Sequence, residues 1–296
     1  MKFPISIIPV TTNFNFIGLR KLFFLLSIIL TISTVVLLFN NGLNKGIDFT
    51  GGLIIEAKTS AKLDLKVLRH SIIDAGYEGA SLQEMSDENT LMIRLQPKNA
   101  SPDEDISIVK LLLSDIDSAV SFRRVDYVGP KVGSELMQKG VNAMLLSLVA
   151  MMIYIWSRFS WQFGVGAIIA LFHDSIITLG FYSLTRFEFD LSSIAAILTI
   201  VGYSINDTVV IYDRIRDNLT KHKKMKTTEI LNLSINETLS RTIMTVLTTA
   251  VVCIALVIFG GDAIRGFSSA VLFGILFGTY SSICISAPIL LYTRIK

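Results

Sequence analysis

Residues 191–212, LSSIAAILTIVGYSINDTVVIY, are apolar for long enough to cross a bilayer, yet they enclose Asn206 and Asp207. About 20 residues rising 1.5 Å each match the thickness of the hydrocarbon core. An ionisable carboxyl at the centre of such a helix costs roughly 2.5 kcal/mol or more. It therefore faces protein or a wet cavity, and by default it marks an ion or proton pathway. Ser192, Ala195, Ala196, Thr199, Gly202, Tyr203 and Asn206 recur at helical spacing and draw a small, polar stripe that ends beside Asp207. Ile194, Ile197, Leu198, Val201, Ile205 and Val209 draw the complementary apolar face. The pattern predicts a helix that meets other helices along one side, with the acid at that seam.

The rest of the chain has the same character, with 51% hydrophobic residues in 296. Apolar segments long enough to span lie at about 22–39, 140–156, 161–184, 191–212, 242–261 and 267–292. The first follows Arg20 and Lys21 but is long for a signal-peptide core, and no small-residue cleavage pattern follows Phe39, so it reads as an uncleaved anchor. One set of short connections carries thirteen Lys and Arg: Lys2, Arg20, Lys21, Arg158, seven between Arg214 and Arg241, Arg294 and Lys296. The opposite set carries two, Arg186 and Arg265. The positive-inside rule then puts both termini in the cytoplasm and residues 41–136 outside. The basic run at 221–226, KHKKMK, suits anionic lipid headgroups beside a cytoplasmic loop and argues no nucleic-acid role. Cys253 and Cys284 both fall inside spans, so neither a disulfide nor a metal site is expected of them.

The outer segment is polar enough to fold in water. A strand is expected at 51–58, a helix at about 61–75, strands at 80–85 and 90–95 joined by a turn at 86–89, a helix from Ser101 to near Ser118, and a strand at 120–128. Ser101, Pro102, Asp103 and Glu104 fit a capping box with proline at the first helical position. The order β-α-β-β-α-β is that of a ferredoxin-like domain. The fold class that follows is an α-helical membrane protein: six transmembrane helices, a half-transporter layout, with an inserted ferredoxin-like α+β external domain. Its parts are residues 1–40 (N-terminus and first span), 41–136 (external domain) and 137–296 (five spans, with a cytoplasmic loop at 213–241).

Several motifs carry a family resemblance. Gly46-Ile47-Asp48-Phe49-Thr50-Gly51-Gly52 resembles the F-D-F-T-G-G signature of the SecF family, with Ile47 where Phe is usual. These are membrane subunits of the bacterial Sec export machinery and relatives of the resistance-nodulation-division (RND) transporters. Val128-Gly129-Pro130-Lys131-Val132-Gly133, the His173-Asp174 pair, residues 200–218 (IVGYSINDTVVIYDRIRDN), Ser240-Arg241-Thr242 and Phe259-Gly260-Gly261 are similar to further motifs of that family. The resemblance covers nearly the whole chain. It implies SecD as the other half of a twelve-helix assembly, the SecYEG channel and a translocating preprotein as further partners, and the inner membrane as the location. It also implies that the proton motive force drives the work, with Asp207 and Arg241 in the proton pathway. No cofactor and no enzymatic activity are implied.

Asp207 lies six residues before Asp213, about 9 Å inside a helix that is expected to meet the cytoplasm there. Arg241, placed at the start of the fifth span, reaches inward about 6–7 Å by snorkelling. Asp207 is expected to gain and lose a proton as access alternates, with Arg241 favouring the ionised form in one state and Asn206 holding the carboxyl or a water. His173 and Asp174 are either a second polar station or a hydrogen-bonded lock onto the fourth span. Gly51, Gly52, Gly129 and Pro130, with Asp48 beside them, flank the external domain and read as hinges. Gly274 and Gly278 form a close-packing GxxxG. The alternative reading is a stand-alone RND-type exporter of small molecules or lipids acting as a homodimer. An intramembrane aspartyl protease lacks its G-x-G-D motif here, and residues 129–133 lack the Lys-[Ser/Thr] of a phosphate loop.

Overall fold

The computed structural model describes residues 12–77, 79–85, 89–98, 101–293 and 295. Part of the expected 86–89 turn, and the cations Lys2, Arg294 and Lys296, lie outside that set. The chain divides into two compact units. One holds the residues up to Asn44, Asn142–Gly260 and the residues from Ile264 onward; the other holds Lys45–Val141 with Gly261–Ala263.

The smaller unit contains α2 (Ile47–Thr50), β1 (Gly52–Lys58), α3 (Leu65–Asp74), β2 (Ser81–Glu84), β3 (Thr90–Leu95), α4 (Pro102–Ile116) and β4 (Ser121–Val128). Its four-stranded sheet has the order β2-β3-β1-β4, with every neighbouring pair antiparallel. This is the ferredoxin-like arrangement. Alternate β1 residues Leu53, Ile55 and Ala57 point to one side, as a two-residue period dictates. They form a core with Leu68 and Ile72 of α3 and Val109 and Leu113 of α4. One carboxylate enters that layer. Asp105 is wholly buried and accepts from Tyr77 Oη at 2.6 Å and from the Lys98 amide at 3.1 Å. Burial, together with this bond, pushes the Tyr77 phenol well above its ordinary value. The capping box expected at Ser101 is not made: its side chain caps nothing, and the Glu104 amide bonds the Ser101 carbonyl instead. A reciprocal capping box stands at another helix, where Asp190 and Ser193 open the segment Leu191–Lys221.

The larger unit is helical. Its spans are α1 (Arg20–Asn41), the greater part of α5 (Pro130–Arg158), α6 (Trp161–Thr185), α7 (Leu191–Lys221), α8 (Thr227–Phe259) and a last span. That last span is α9 (Asp262–Ser281), a π-helical turn (Ser282–Ser286) and α10 (Ala287–Ile289). Among the described residues, six helices are thus long and apolar enough to cross a membrane. The GxxxG brings α9 onto α7. A Cβ at Gly274 would fall 2.2 Å from Ile200 Cδ1, and one at Gly278 would fall 3.1 Å from Ser204 Cβ.

The segment 213–241, expected as a cytoplasmic loop, is almost entirely helix. α7 runs on to Lys221 and α8 begins at Thr227, leaving only residues 222–226 as the turn. The reason is a buried seam. Ile215, Leu231 and Ile235 are fully enclosed, Arg214 Nε donates to Glu237 at 2.7 Å, and Asn218 donates to Glu237 and Ser234 at 2.6 and 3.0 Å. Asn236 clasps the chain that precedes α1. Its carboxamide oxygen accepts from the Phe14 amide at 2.8 Å while its nitrogen donates to the Phe14 carbonyl at 2.9 Å.

Two glycine substitutions test the α7–α9 approach. Gly274→Val overpacks the crossing and lowers the stability of the detergent-purified chain by about 1–3 kcal/mol in a thermal or denaturant assay. Gly202→Val, whose Cβ meets nothing within 4 Å, leaves that stability nearly unchanged.

Candidate proton-relay site

Nothing in a hydrocarbon interior hydrates a polar side chain, so each must find a partner on a neighbouring helix. The inner edge of α7 does this in steps of one helical turn. Ser204 Oγ donates to Asp174 Oδ2 of α6 at 2.6 Å, Thr208 Oγ1 lies 2.8 Å from Ser282 Oγ, and Ser286 Oγ donates to Tyr212 Oη at 2.5 Å. Ser282 Oγ also meets the Ser204 carbonyl at 3.2 Å. The π turn lies immediately before the turn that contains Pro288. Proline has no N–H and crowds the carbonyl four residues back, and a wider turn relieves both problems.

Asp174 is the junction of this seam. It is 1% exposed, and Oδ2 also accepts from Ser281 Oγ at 2.7 Å. Oδ1 lies 3.1 Å from His173 Nδ1. Three elements, α6, α7 and α9, therefore meet on one carboxylate. His173 itself turns away from α7 and keeps only its Nδ1 edge on Asp174.

Asp207 sits less than one turn further along α7, 3% exposed and enclosed by its own chain. Thr242 of α8 approaches Oδ1 at 3.4 Å, and Thr279 of α9 approaches Oδ2 at 3.2 Å. Arg241 adjoins Thr242 in the sequence of α8. Among the described residues no ion pair joins Arg241 to Asp207, and Arg241 is exposed. Nor does Arg241 open its helix, because α8 starts fourteen residues earlier at Thr227. Asn206 is not brought to the carboxyl either. Adjacent helical residues point about 100° apart, and Asn206 faces outward. The small-residue stripe divides in the same way. Ala195, Thr199 and Asn206 are exposed and Gly202 opens on empty space, whereas Ala196 and Asp207 face inward. The acid is therefore behind the stripe and not on it.

The glycine motifs lie in the smaller unit. Asp48 is in the first turn of α2. Gly51 and Gly52 have φ of +71° and +133°, which side chains rarely tolerate. A Cβ on Gly51 would stand 2.9 Å from Pro130 Cα, and one on Gly133 would stand 2.9 Å from Gly51 N. The entry and exit motifs thus clasp each other directly. Gly129 needs no such freedom, since its Cβ would meet only Tyr127 Oη at an ordinary 3.6 Å.

The match to known families follows these residues. The model described as "Protein export membrane protein SecD/SecF, C-terminal" matches residues 108–296, and that of the "SecD/SecF GG Motif" matches residues 36–62, around Gly51 and Gly52. The chain belongs to the SecD/SecF protein-export family. Relatives named protein translocase subunit SecF are 48% identical in Rickettsia bellii, covering 97% of this chain and 96% of theirs, and 48% identical in Rickettsia felis, covering 97% and 94%. The crystal structure of SecDF, a translocon-associated membrane protein from Thermus thermophilus, superposes with a TM-score of 0.88 at 34% identity, over 97% of this chain and 40% of that one. A second SecDF structure, in a super-membrane-facing form, gives 0.72 at 34% identity over 99% and 40%. The SecD/SecF-family chain described here thus corresponds to two-fifths of the SecDF polypeptide.

The Asp207 partners Thr242 and Thr279, and the Asp174 partners Ser204 and Ser281, went unread in the sequence. The available signals were the position of Thr242 next to Arg241, of Thr279 and Ser281 within one turn of Gly278, and of Ser204 one turn before Asp207. Ser281→Ala takes a donor from a buried carboxylate and is expected to cost about 1–3 kcal/mol of unfolding free energy. Ser268→Ala is the control, because that buried hydroxyl has no partner to lose. It should be neutral in the same assay.

Proposed function

We propose that the chain is the SecF-type subunit of a protein-export accessory complex, and that with SecD and the SecYEG channel it uses the proton motive force to promote preprotein translocation across the inner membrane. Asp207 supports this best: one carboxyl inside a span, enclosed by its own chain and contacted from two other helices. When ionised, its two oxygens accept from Thr242 on α8 and Thr279 on α9, and Arg241 attracts it. When protonated, one oxygen turns from acceptor to donor and the attraction to Arg241 is lost. Proton uptake therefore loosens α8 and α9 from α7, and proton release draws them back. Asp174, tied to serines on both α7 and α9, keeps the helices in register while this happens.

The exposed edge of α7, with Ala195, Thr199, Gly202 and Asn206, is the face for the SecD half. Small residues allow backbones to approach, and an outward Asn in a span calls for a polar partner. The clasped glycine motifs form a single joint about which the external domain, on the periplasmic side, rocks while it meets emerging polypeptide. Both termini are cytoplasmic in this reading, and the 222–226 turn carries its lysines toward anionic headgroups.

Asp207→Asn keeps the shape of the side chain and removes its titration. In vesicles containing the assembled complex, it should abolish the component of export that responds to an imposed proton gradient and leave gradient-independent export intact. Full gradient response in a stably assembled mutant would overturn the relay. Separately, Thr199→Trp should prevent SecD from co-purifying, whereas Leu146→Trp on an exposed part of α5 should not. Retention of SecD by both variants would move the partner face elsewhere.

A further inference from the structure

The turn between α5 and α6 holds a charge cluster that the relay does not use. Arg158 ends α5 and Trp161 opens α6, so residues 159–160 join two spans and lie at a membrane–water boundary. Trp156 and Trp161, 51% and 61% exposed on either side of the turn, suit that level, where indole rings concentrate. Asp213 of α7 reaches the same level, because its Oδ1 accepts from Arg158 Nη2 at 2.9 Å.

The same oxygen accepts from Arg216 Nη2, also at 2.9 Å. Both guanidiniums lie over the Phe159 ring, 5.2 and 5.5 Å from its centroid, and the ring itself is buried. The two cations are thus held side by side by a shared carboxylate oxygen and a shared aromatic ring. The fold has already ordered both side chains, which lowers the entropy that a ligand meeting them must lose.

Neither contact is the two-pronged pair that a guanidinium and a carboxylate form at their best. Each arginine spends one nitrogen on Asp213, and its other N–H groups meet no acceptor among the described residues. Both side chains are 42% exposed, so a ligand can reach those donors. Two positive charges also share one negative charge, which leaves the cluster short of one anion. An oxyanion with two free oxygens supplies both the charge and the missing acceptors, and phosphate matches the guanidinium fork. At a membrane boundary phosphate is carried by lipid headgroups. A headgroup with net negative charge meets the spare cation, whereas a choline brings a cation of its own. We propose that Arg158 and Arg216 bind the phosphate of an anionic phospholipid, which bridges the end of α5 to α7. This site rests on the spans and on these contacts, and both the Asp207 relay and the partner face at Thr199 are independent of it.

The test uses the purified full chain in detergent, with retained lipid counted by native mass spectrometry. Phosphatidylglycerol and phosphatidylcholine with the same acyl chains are offered at equal concentration. The wild type should retain phosphatidylglycerol about tenfold better, the ratio that one charge-assisted hydrogen bond confers. Arg158→Gln and Arg216→Gln should each bring that ratio close to one while phosphatidylcholine retention stays the same. Lys21→Gln, an equal loss of charge at the exposed start of α1, should leave the ratio unchanged. Asp213→Asn keeps an oxygen for both arginines and removes the competing charge, so it should raise the ratio. Arg158→Lys keeps the charge but not the fork. It should lose most of the preference, and it carries the test if the glutamine variants do not fold. A wild-type ratio near one would overturn the proposal, as would an equal fall in Lys21→Gln or any fall in Asp213→Asn. Displacement of the lipid by excess inorganic phosphate would assign the arginines to a free anion and would overturn it too.

Discussion

A buried carboxylate that must be satisfied without water constrains the helical unit more than any apolar contact does. Asp174 accepts from Ser204 and Ser281 and holds His173 by its Nδ1 edge. Apolar packing between helices in lipid is nearly indifferent to register, because lipid tails are as apolar as leucine. Directional hydrogen bonds are not indifferent. The Asp174 junction, followed one and two turns further along α7 by Thr208–Ser282 and Tyr212–Ser286, fixes α7 against the last span turn by turn. Gly166 completes the crossing, since a Cβ there would lie 2.5 Å from Tyr212 Oη and 2.8 Å from the Ser286 carbonyl.

Asp207 has a weaker hold within this firmer frame. Its two threonine contacts, at 3.4 and 3.2 Å, are longer than those on Asp174. A short, multiply donated carboxylate suits a fixed joint, and a loosely held one suits a group that changes protonation. Under the proposed relay, the two acids divide the work of rigidity and response.

The smaller unit shows the same economy. Its core is ordinary apolar alternation on β1 against two helices, and the buried acid Asp105 is tied by Tyr77 and the Lys98 amide. The junction motifs add backbone geometry that only glycine permits. Gly51 at positive φ lets the start of β1 lie against Pro130, so the chain enters and leaves the domain at one clasp.

Hydropathy and period alone determined the six spans, the strand and helix order of the inserted domain, and the presence of Asp207 within a span, because burial in lipid or in a sheet leaves a one-dimensional trace. The GxxxG at Gly274 and Gly278 was legible for the same reason. Tertiary structure decided which neighbours each polar group found. Asn206 and Asp207 are adjacent in sequence but point to different surroundings, and Thr242 and Thr279 come from helices 35 and 72 positions away. The helical hairpin across 213–241 was hidden because its apolar residues are interleaved with polar and charged ones, of which Arg214 and Asn218 find their partner Glu237 only across the two helices. A sequence records how much a residue costs to bury; which hydrogen-bond donor compensates that cost depends on where the helices cross, and that is fixed only when they pack.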